Sequence, residues 1–322
     1  MVSPPARYLV FFQYFGTKYS GVMETSANQS GIGVQNCLEK AAQNLKPVVP
    51  IKFHISSRTD SGVHALCNTA HLDIQRAPGK PAFQERELIR GLNHHLKSEP
   101  IRILSAYRVT SDFHARFSAL SRTYIYRLLL GCARWSEVPV FERDLCWAPP
   151  GGYLDVPAMQ DAARFLLGTH DFSTFRSLNS ETPFQSPIRT ILQAEIQPSS
   201  GFLAHHYESR GLEFWELKFR SKSFLYRQVL FSSVFASNIH RITLAVPWLF
   251  FLVSHPCSVP VLSGLRAIQG PGLRQARLHV RCLPQQNQNI SGPCLKGAKS
   301  QNRVGGWKVF CFPQPPSLQA EW

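Results

Sequence analysis

Residues 52–74, KFHISSRTDSGVHALCNTAHLDI, decide how the first third of the chain folds. Two segments of strand character, 52–57 and 67–74, follow each other with one charged loop between them, and Ala70, Leu72 and Ile74 alternate onto one face of the second. Outward from this pair the pattern is symmetrical. Upstream, residues 33–45 have helical period through Val34, Leu38, Ala41 and Leu45, preceded by an aromatic strand-like run at 8–15, YLVFFQYF. Downstream, residues 81–96 return to helical period through Leu88, Leu92 and Leu96, and 101–109 reads as a strand. The order β-α-β-β-α-β predicts a ferredoxin-like split unit, an antiparallel sheet with two helices on one face and its other face free.

A second, less regular round begins at residue 111. Residues 122–130 (RTYIYRLLL) read as a long strand, 157–167 as a helix with Met159, Ala162, Ala163 and Leu166 on one stripe, 188–196 and 212–219 as strands, and 223–229 as the start of a helix. The expected fold class is therefore α+β: two ferredoxin-like halves, 1–110 and 111–229, the second incomplete, with a ligand cleft between them. Residues 230–322 differ from both halves. They carry nine Lys and Arg against a single acidic residue, Glu321, with no sustained period, which predicts a basic, poorly ordered tail.

Thirty-five basic against 20 acidic residues give a formal charge of +15, so the expected partner is a polyanion such as nucleic acid. The eight cysteines contain no C-x-x-C pair, which argues against a zinc site of ordinary spacing and for reduced thiols in an intracellular compartment. The pairs His94–His95 and His205–His206 are read as solvated, since neighbouring side chains diverge. The N-terminus lacks the apolar core of a secretory signal. The most apolar stretch, 244–253, is half the length of about 20 residues a membrane span needs, and Pro247 interrupts it.

Within the charged loop, Arg58 and Asp60 are two residues apart, so in extended backbone they project to one side and their side chains can pair, while Gly62 supplies the turn. A nearby guanidinium lowers a carboxyl pKa by roughly 1–3 units, keeping the carboxylate ionised as a nucleophile requires. The competing reading is a surface turn in which Asp60 caps its own backbone. Tyr124 and Tyr126 likewise read, on their own, as strand aromatics sharing one face of a sheet.

The segment SRTDSGVHAL (57–66) resembles the R-T-D-x-G-V-H motif of the TruA family of tRNA pseudouridine synthases. Four further segments resemble the family in the same order: GVQNCLEKA (33–41), FHARFSALSRTYIYRL (113–128), LLGTHDFSTFR (166–176) and FLYRQV (224–229). The resemblance spans about residues 7–229. It implies isomerisation of uridine to pseudouridine in tRNA, without metal or other cofactor, on a base flipped into the cleft. Asp60 matches the catalytic aspartate, acting as nucleophile at the sugar or by deprotonating it, and Arg58 the arginine that orients it. Tyr124 matches the tyrosine that stacks on the uracil and assists loss of its C5 proton. His64 and Gly62 are motif structure, and His170, Asp171 and Phe172 are architecture or RNA contact. The resemblance further implies a mitochondrial address, and a homodimer by likeness to bacterial members.

After residue 229 the resemblance stops. Position 230 is Leu where the family continues with an arginine facing the catalytic aspartate, and no likeness to the closing helix follows. The sharp break points to an alternative transcript or a shifted reading frame. The alternative to an active enzyme is accordingly a catalytically impaired RNA-binding protein or isoform.

Overall fold

The computed structural model describes residues 4–26, 28, 31–176, 186–199, 207–208, 210–229 and the backbone of 306–311. In the first half, β1 (Ala6–Tyr14), β2 (His54–Ile55), β3 (Ala65–Ile74) and β4 (Ile101–Arg108) form an antiparallel sheet in the order β2-β3-β1-β4. The helices α1 (Val34–Gln43) and α2 (Glu85–His95) complete the expected β-α-β-β-α-β order. Their apolar stripes, Val34, Leu38, Ala41 and Leu88, Leu92, bury against Tyr8, Val10, Phe12, Ala70 and Leu72. Register follows this burial, with Tyr8 opposite Leu72 and Val10 between Ala70 and Ala106.

Two expectations need correction. The segment 52–57 is a strand only at His54–Ile55; Ser56 N–H still donates to Thr69 at 2.8 Å, and the chain then leaves the sheet to form the loop. The second sheet face is also not free. Leu9, Thr69 and His71 are buried there, because the segment after β4 lies across it: Arg7 donates to the Ser111 and Phe113 carbonyls, and Ala115 N–H to His71 Nδ1 at 3.2 Å. Arg7 is held in position by a bidentate pair with Asp73, 2.8 Å at each contact.

The second half is a five-stranded antiparallel sheet of β5 (Ser121–Leu130), β6 (Gly168–Asp171), β7 (Ile188–Pro198), β8 (Glu213–Ser221) and β9 (Gly306–Cys311), in the order β6-β7-β8-β5-β9. Among the described residues one α-helix backs it, α3 (Val156–Arg164), capped where Asp155 Oδ1 accepts from Ala158 N–H at 3.0 Å. Met159, Ala162 and Ala163 pack on Tyr126, Leu128, Leu217 and Phe219 as a separate core. Of the helix expected at 223–229, the structure gives only one turn at its end, with Gln228 N–H donating to the Leu225 carbonyl.

Within the tail, the residues of β9, 306–311, pair with β5 from Ser121 opposite Cys311 to Tyr126 opposite Gly306. The edge of β5 would otherwise present unpaired amides and carbonyls, and the sequence GWKVFC has the apolar and aromatic content to continue the sheet. β9 also runs close to β3, at the seam between halves. The remaining tail residues, 230–305 and 312–322, lie outside the described ones. Among the described residues no helix is long and apolar enough to cross a membrane.

His64 joins the halves directly. Its Nδ1 accepts from Gly16 N–H at 3.1 Å, which leaves Nε2–H to donate to the Asp144 carbonyl at 2.9 Å. The ring is fully buried, and burial holds its pKa below the ordinary histidine value. A depressed folded-state pKa means that the unfolded chain binds the proton first, so this contribution is complete above pH about 6.5 and is lost as pH falls further, through the folded pKa. Denaturant titrations of wild type and His64→Gln should therefore give a stability difference that is constant above pH 7 and shrinks towards pH 5.

Candidate active site

The loop between β2 and β3 is fixed on its inner side at nearly every residue. Asn68 Nδ2 donates to the Ser57 carbonyl at 3.1 Å, Thr59 Oγ1 meets the Tyr14 hydroxyl at 2.8 Å, and Ser61 Oγ donates to the Tyr19 carbonyl at 3.2 Å. Val22 N–H donates to the Thr59 carbonyl at 3.2 Å, so the turn after β1 is laced to the loop. Two glycines allow that approach. A Cβ on Gly16 would lie 2.0 Å from the Val63 carbonyl oxygen, and one on Gly21, at φ +126°, 2.7 Å from the Thr59 oxygen. Gly62 turns the chain at φ 78°, and Val63 N–H closes the turn on the Asp60 carbonyl at 3.3 Å.

Against this fixed inner side the outer residues alternate. Arg58 and Asp60 are exposed while Thr59 between them is buried, which is the same-side placement expected of extended i and i+2 residues. The loop therefore presents its arginine and aspartate outward from a rigid support.

Tyr124 comes to this loop from β5. Its ring packs edge-on against Phe224, centroids 5.0 Å apart, and its hydroxyl hydrogen-bonds the Ser57 side chain. Burial is the main reason the phenol is held well above its ordinary pKa, with the negative charge of Asp60 adding to the shift. Asp60 and Tyr124, from opposite halves, thus lie within electrostatic reach of each other. Tyr14 beside them is buried and pushed up to about 12, again by desolvation. Both phenols are protonated at neutral pH, so they act as hydrogen-bonding groups and not as standing anions.

Arg122 sets the distance between the two halves here. Its guanidinium donates to the carbonyls of Ser56 at 3.1 Å, Arg116 at 3.0 Å and Lys222 at 2.6 Å, joining the loop, the linker and the end of β8. Desolvation lowers its pKa, yet an arginine remains charged, and a charged donor among carbonyls makes strong hydrogen bonds. Sequence reasoning did not single out Arg122, Ser57, Thr59 or Tyr14. The available signal was the spacing of Arg122 and Tyr124, two apart on one strand and hence on one face.

The other residues considered from sequence are elsewhere. Tyr126 is buried in the second core against Trp147, a structural role. His170 Nε2 bonds the Leu167 carbonyl at 2.6 Å, Asp171 caps the following turn through Ser173 N–H at 2.7 Å, and Phe172 is fully buried, which agrees with architecture. Within the last resembling segment, FLYRQV, Arg227 is exposed and stacks on Tyr226, 5.1 Å from the ring centroid. His94 and His95 are exposed on α2, whereas Leu230, His205 and His206 lie outside the described residues.

Two antiparallel halves meeting over an aspartate from one and a tyrosine from the other give the layout that the sequence motifs imply. The family model described as tRNA pseudouridine synthase matches residues 10–118 and 162–236, and the chain belongs to that family. Its relatives include tRNA pseudouridine synthase-like 1 of Xenopus laevis, 63% identical over 229 residues, covering 71% of this chain and 76% of that protein. The Homo sapiens protein of the same description is 56% identical over 225 residues, 70% and 74% of the respective chains. A bacterial tRNA pseudouridine synthase A, from Paramagnetospirillum magneticum, is 40% identical over 185 residues, 58% of this chain and 66% of that one.

Replacing Arg122 by Ala removes the donor shared by three carbonyls. The expected loss is about 2–4 kcal/mol, from charged hydrogen bonds at a partly buried position. It should be visible as a lower denaturant midpoint at unchanged m-value.

Proposed function

We propose that Asp60 is the catalytic residue of this tRNA pseudouridine synthase, with Arg58 orienting it and Tyr124 receiving the flipped uracil. The observation that carries this reading is the convergence of Asp60 and the Tyr124 phenol at the seam, each supplied by a different half. A base extruded from tRNA enters between the halves, where phosphates along its path meet a protein of formal charge +15. The Tyr124 ring takes the face of the uracil, with the Phe224 ring packed perpendicular to it.

The reaction breaks the N1–C1′ bond, turns the ring and joins C5 to C1′; the C5 proton then leaves. Asp60 serves the first part as a carboxylate, bonding to the sugar and being expelled again, or removing a sugar proton. Neither route changes what the loop must provide, an ionised carboxylate held in one direction on a rigid base. Tyr124, protonated at rest, relays the C5 proton by accepting it on the phenol oxygen as its own hydroxyl proton leaves to solvent water, while the Ser57 hydroxyl supports that oxygen.

The resemblance also supports a mitochondrial address and an origin of the tail in an alternative transcript. Cell fractionation and sequencing of the source transcript test these two readings. An RNA-binding role and a homodimer are part of the same proposal, tested by filter binding of tRNA and by sedimentation.

Pseudouridine formation on a mixed tRNA pool tests the assignment. Wild type should convert uridine, Asp60→Ala should lose at least about 10³-fold in rate, and Tyr124→Phe about 10²-fold. Full activity in Asp60→Ala would exclude the aspartate. The variant Leu230→Arg measures what the altered terminus costs: a rate well above wild type means that the residue at 230 limits this version of the enzyme.

A further inference from the structure

We propose that His54, His71 and His114 bind one divalent transition-metal ion, of which zinc is the representative, and that the ion clips the first sheet to the segment leading into the second half. The three residues are remote in sequence and come from β2, β3 and the linker that follows β4. One ring nitrogen from each lies within 4.8 Å of the other two, so a single point is no more than about 2.8 Å from all three. Zinc–imidazole bonds are about 2.0–2.1 Å long, so ligation draws each ring inward by less than about 1 Å.

The backbone already sets the rings up for this. His54 and His71 are directly opposed in the β2–β3 ladder, and their rings stack 4.6 Å apart at 13°. His114 closes the group with its ring 4.6 Å from that of His71. His71 is buried, His114 half-buried and His54 exposed, which gives an ion a path from solvent to an anchored inner ligand. Three imidazoles without a thiolate or carboxylate suit zinc, copper or nickel and exclude calcium and magnesium, which take oxygen ligands. A fourth position is left for water.

The surroundings neither forbid the ion nor hold it unaided. Arg7 is the cation whose field reaches both His71 and His114, and its charge is offset by the bidentate pair with Asp73. Arg116 adds a second positive charge near His114 and stands over the Phe117 ring, 5.8 Å from its centroid. The Nδ1 atoms of His71 and His114 accept the backbone N–H groups of Ala115 and Arg116, each at 3.2 Å. Loading either displaces those amide hydrogens or uses Nε2 and passes its proton to Nδ1; in both cases the two amide bonds are given up. Metal binding therefore leaves a local signature at residues 115 and 116 that no adventitious surface ion would produce.

The full-length protein, freed of metal with a chelator, is titrated with zinc by calorimetry and with cobalt by absorption. One equivalent is expected, with a cobalt spectrum lacking the thiolate charge-transfer band, faster exchange of the Ala115 amide on loading, and a rise in Tm. The variant His54→Gln alters an exposed ligand without touching the core and should weaken binding at least about tenfold; His114→Gln should do the same. Equal binding by wild type and His54→Gln overturns the proposal. So does a thiolate cobalt spectrum, which would assign the ion to cysteines, or the absence of binding at about 100 µM zinc.

Discussion

One guanidinium ties the site together. Arg122 bonds carbonyls on the loop after β2, on the linker between halves and at the end of β8, so three segments share one partly buried cation. Carbonyls carry only partial charge, and no carboxylate is among these three contacts, so the arrangement is held by direction more than by Coulombic attraction. Loss of the planar fork would remove one bond from each of the three segments at once. The neighbouring clamp, His64 between Gly16 and Asp144, acts in the same sense a few residues further along the loop.

This explains why an exposed aspartate can have a defined position. Exposed carboxylates on flexible loops sample many directions, and such freedom is poor preorganisation for attack on one sugar carbon. Here the flexibility is removed from the other side of the backbone: Ser57, Thr59 and Ser61 are each bonded inward, and Gly16 and Gly21 let the facing turn approach within contact of the loop. Asp60 then lies exposed with its main chain already fixed. Tyr124 is the reverse case, a half-buried ring rooted in a strand, its hydroxyl desolvated and hydrogen-bonded to the Ser57 side chain.

Much of this was legible in the sequence, and what was not has physical causes. The first half was readable because its periods are long and its helix stripes strict, so Leu88, Leu92, Val34 and Leu38 fell in the core as expected. Asp60 and Tyr124 were legible as motif residues. The short β2 was overestimated because Phe53 and Ile55 alternate inward as strand residues do, whereas only His54 and Ile55 pair with β3 and bonds from Asn68 and Arg122 hold the chain in the loop at Ser57 and Ser56. The covered second face of β1 and β3 could not be seen, since it depends on where a non-periodic linker lies. β9 was hidden by the composition of the tail around it. The histidine cluster was invisible for a simpler reason: its members lie 17 and 43 residues apart in a chain whose only adjacent histidine pairs draw attention elsewhere.

The claim at the centre of this account is that Asp60 and Tyr124, carried by different halves, work as one unit. A double-mutant cycle on single-turnover pseudouridine formation in tRNA measures that directly, using Asp60→Glu and Tyr124→Phe so that residual rates stay measurable. The account predicts a coupling energy of about 1 kcal/mol or more between the two changes. Effects that add independently, within about 0.3 kcal/mol, would contradict it.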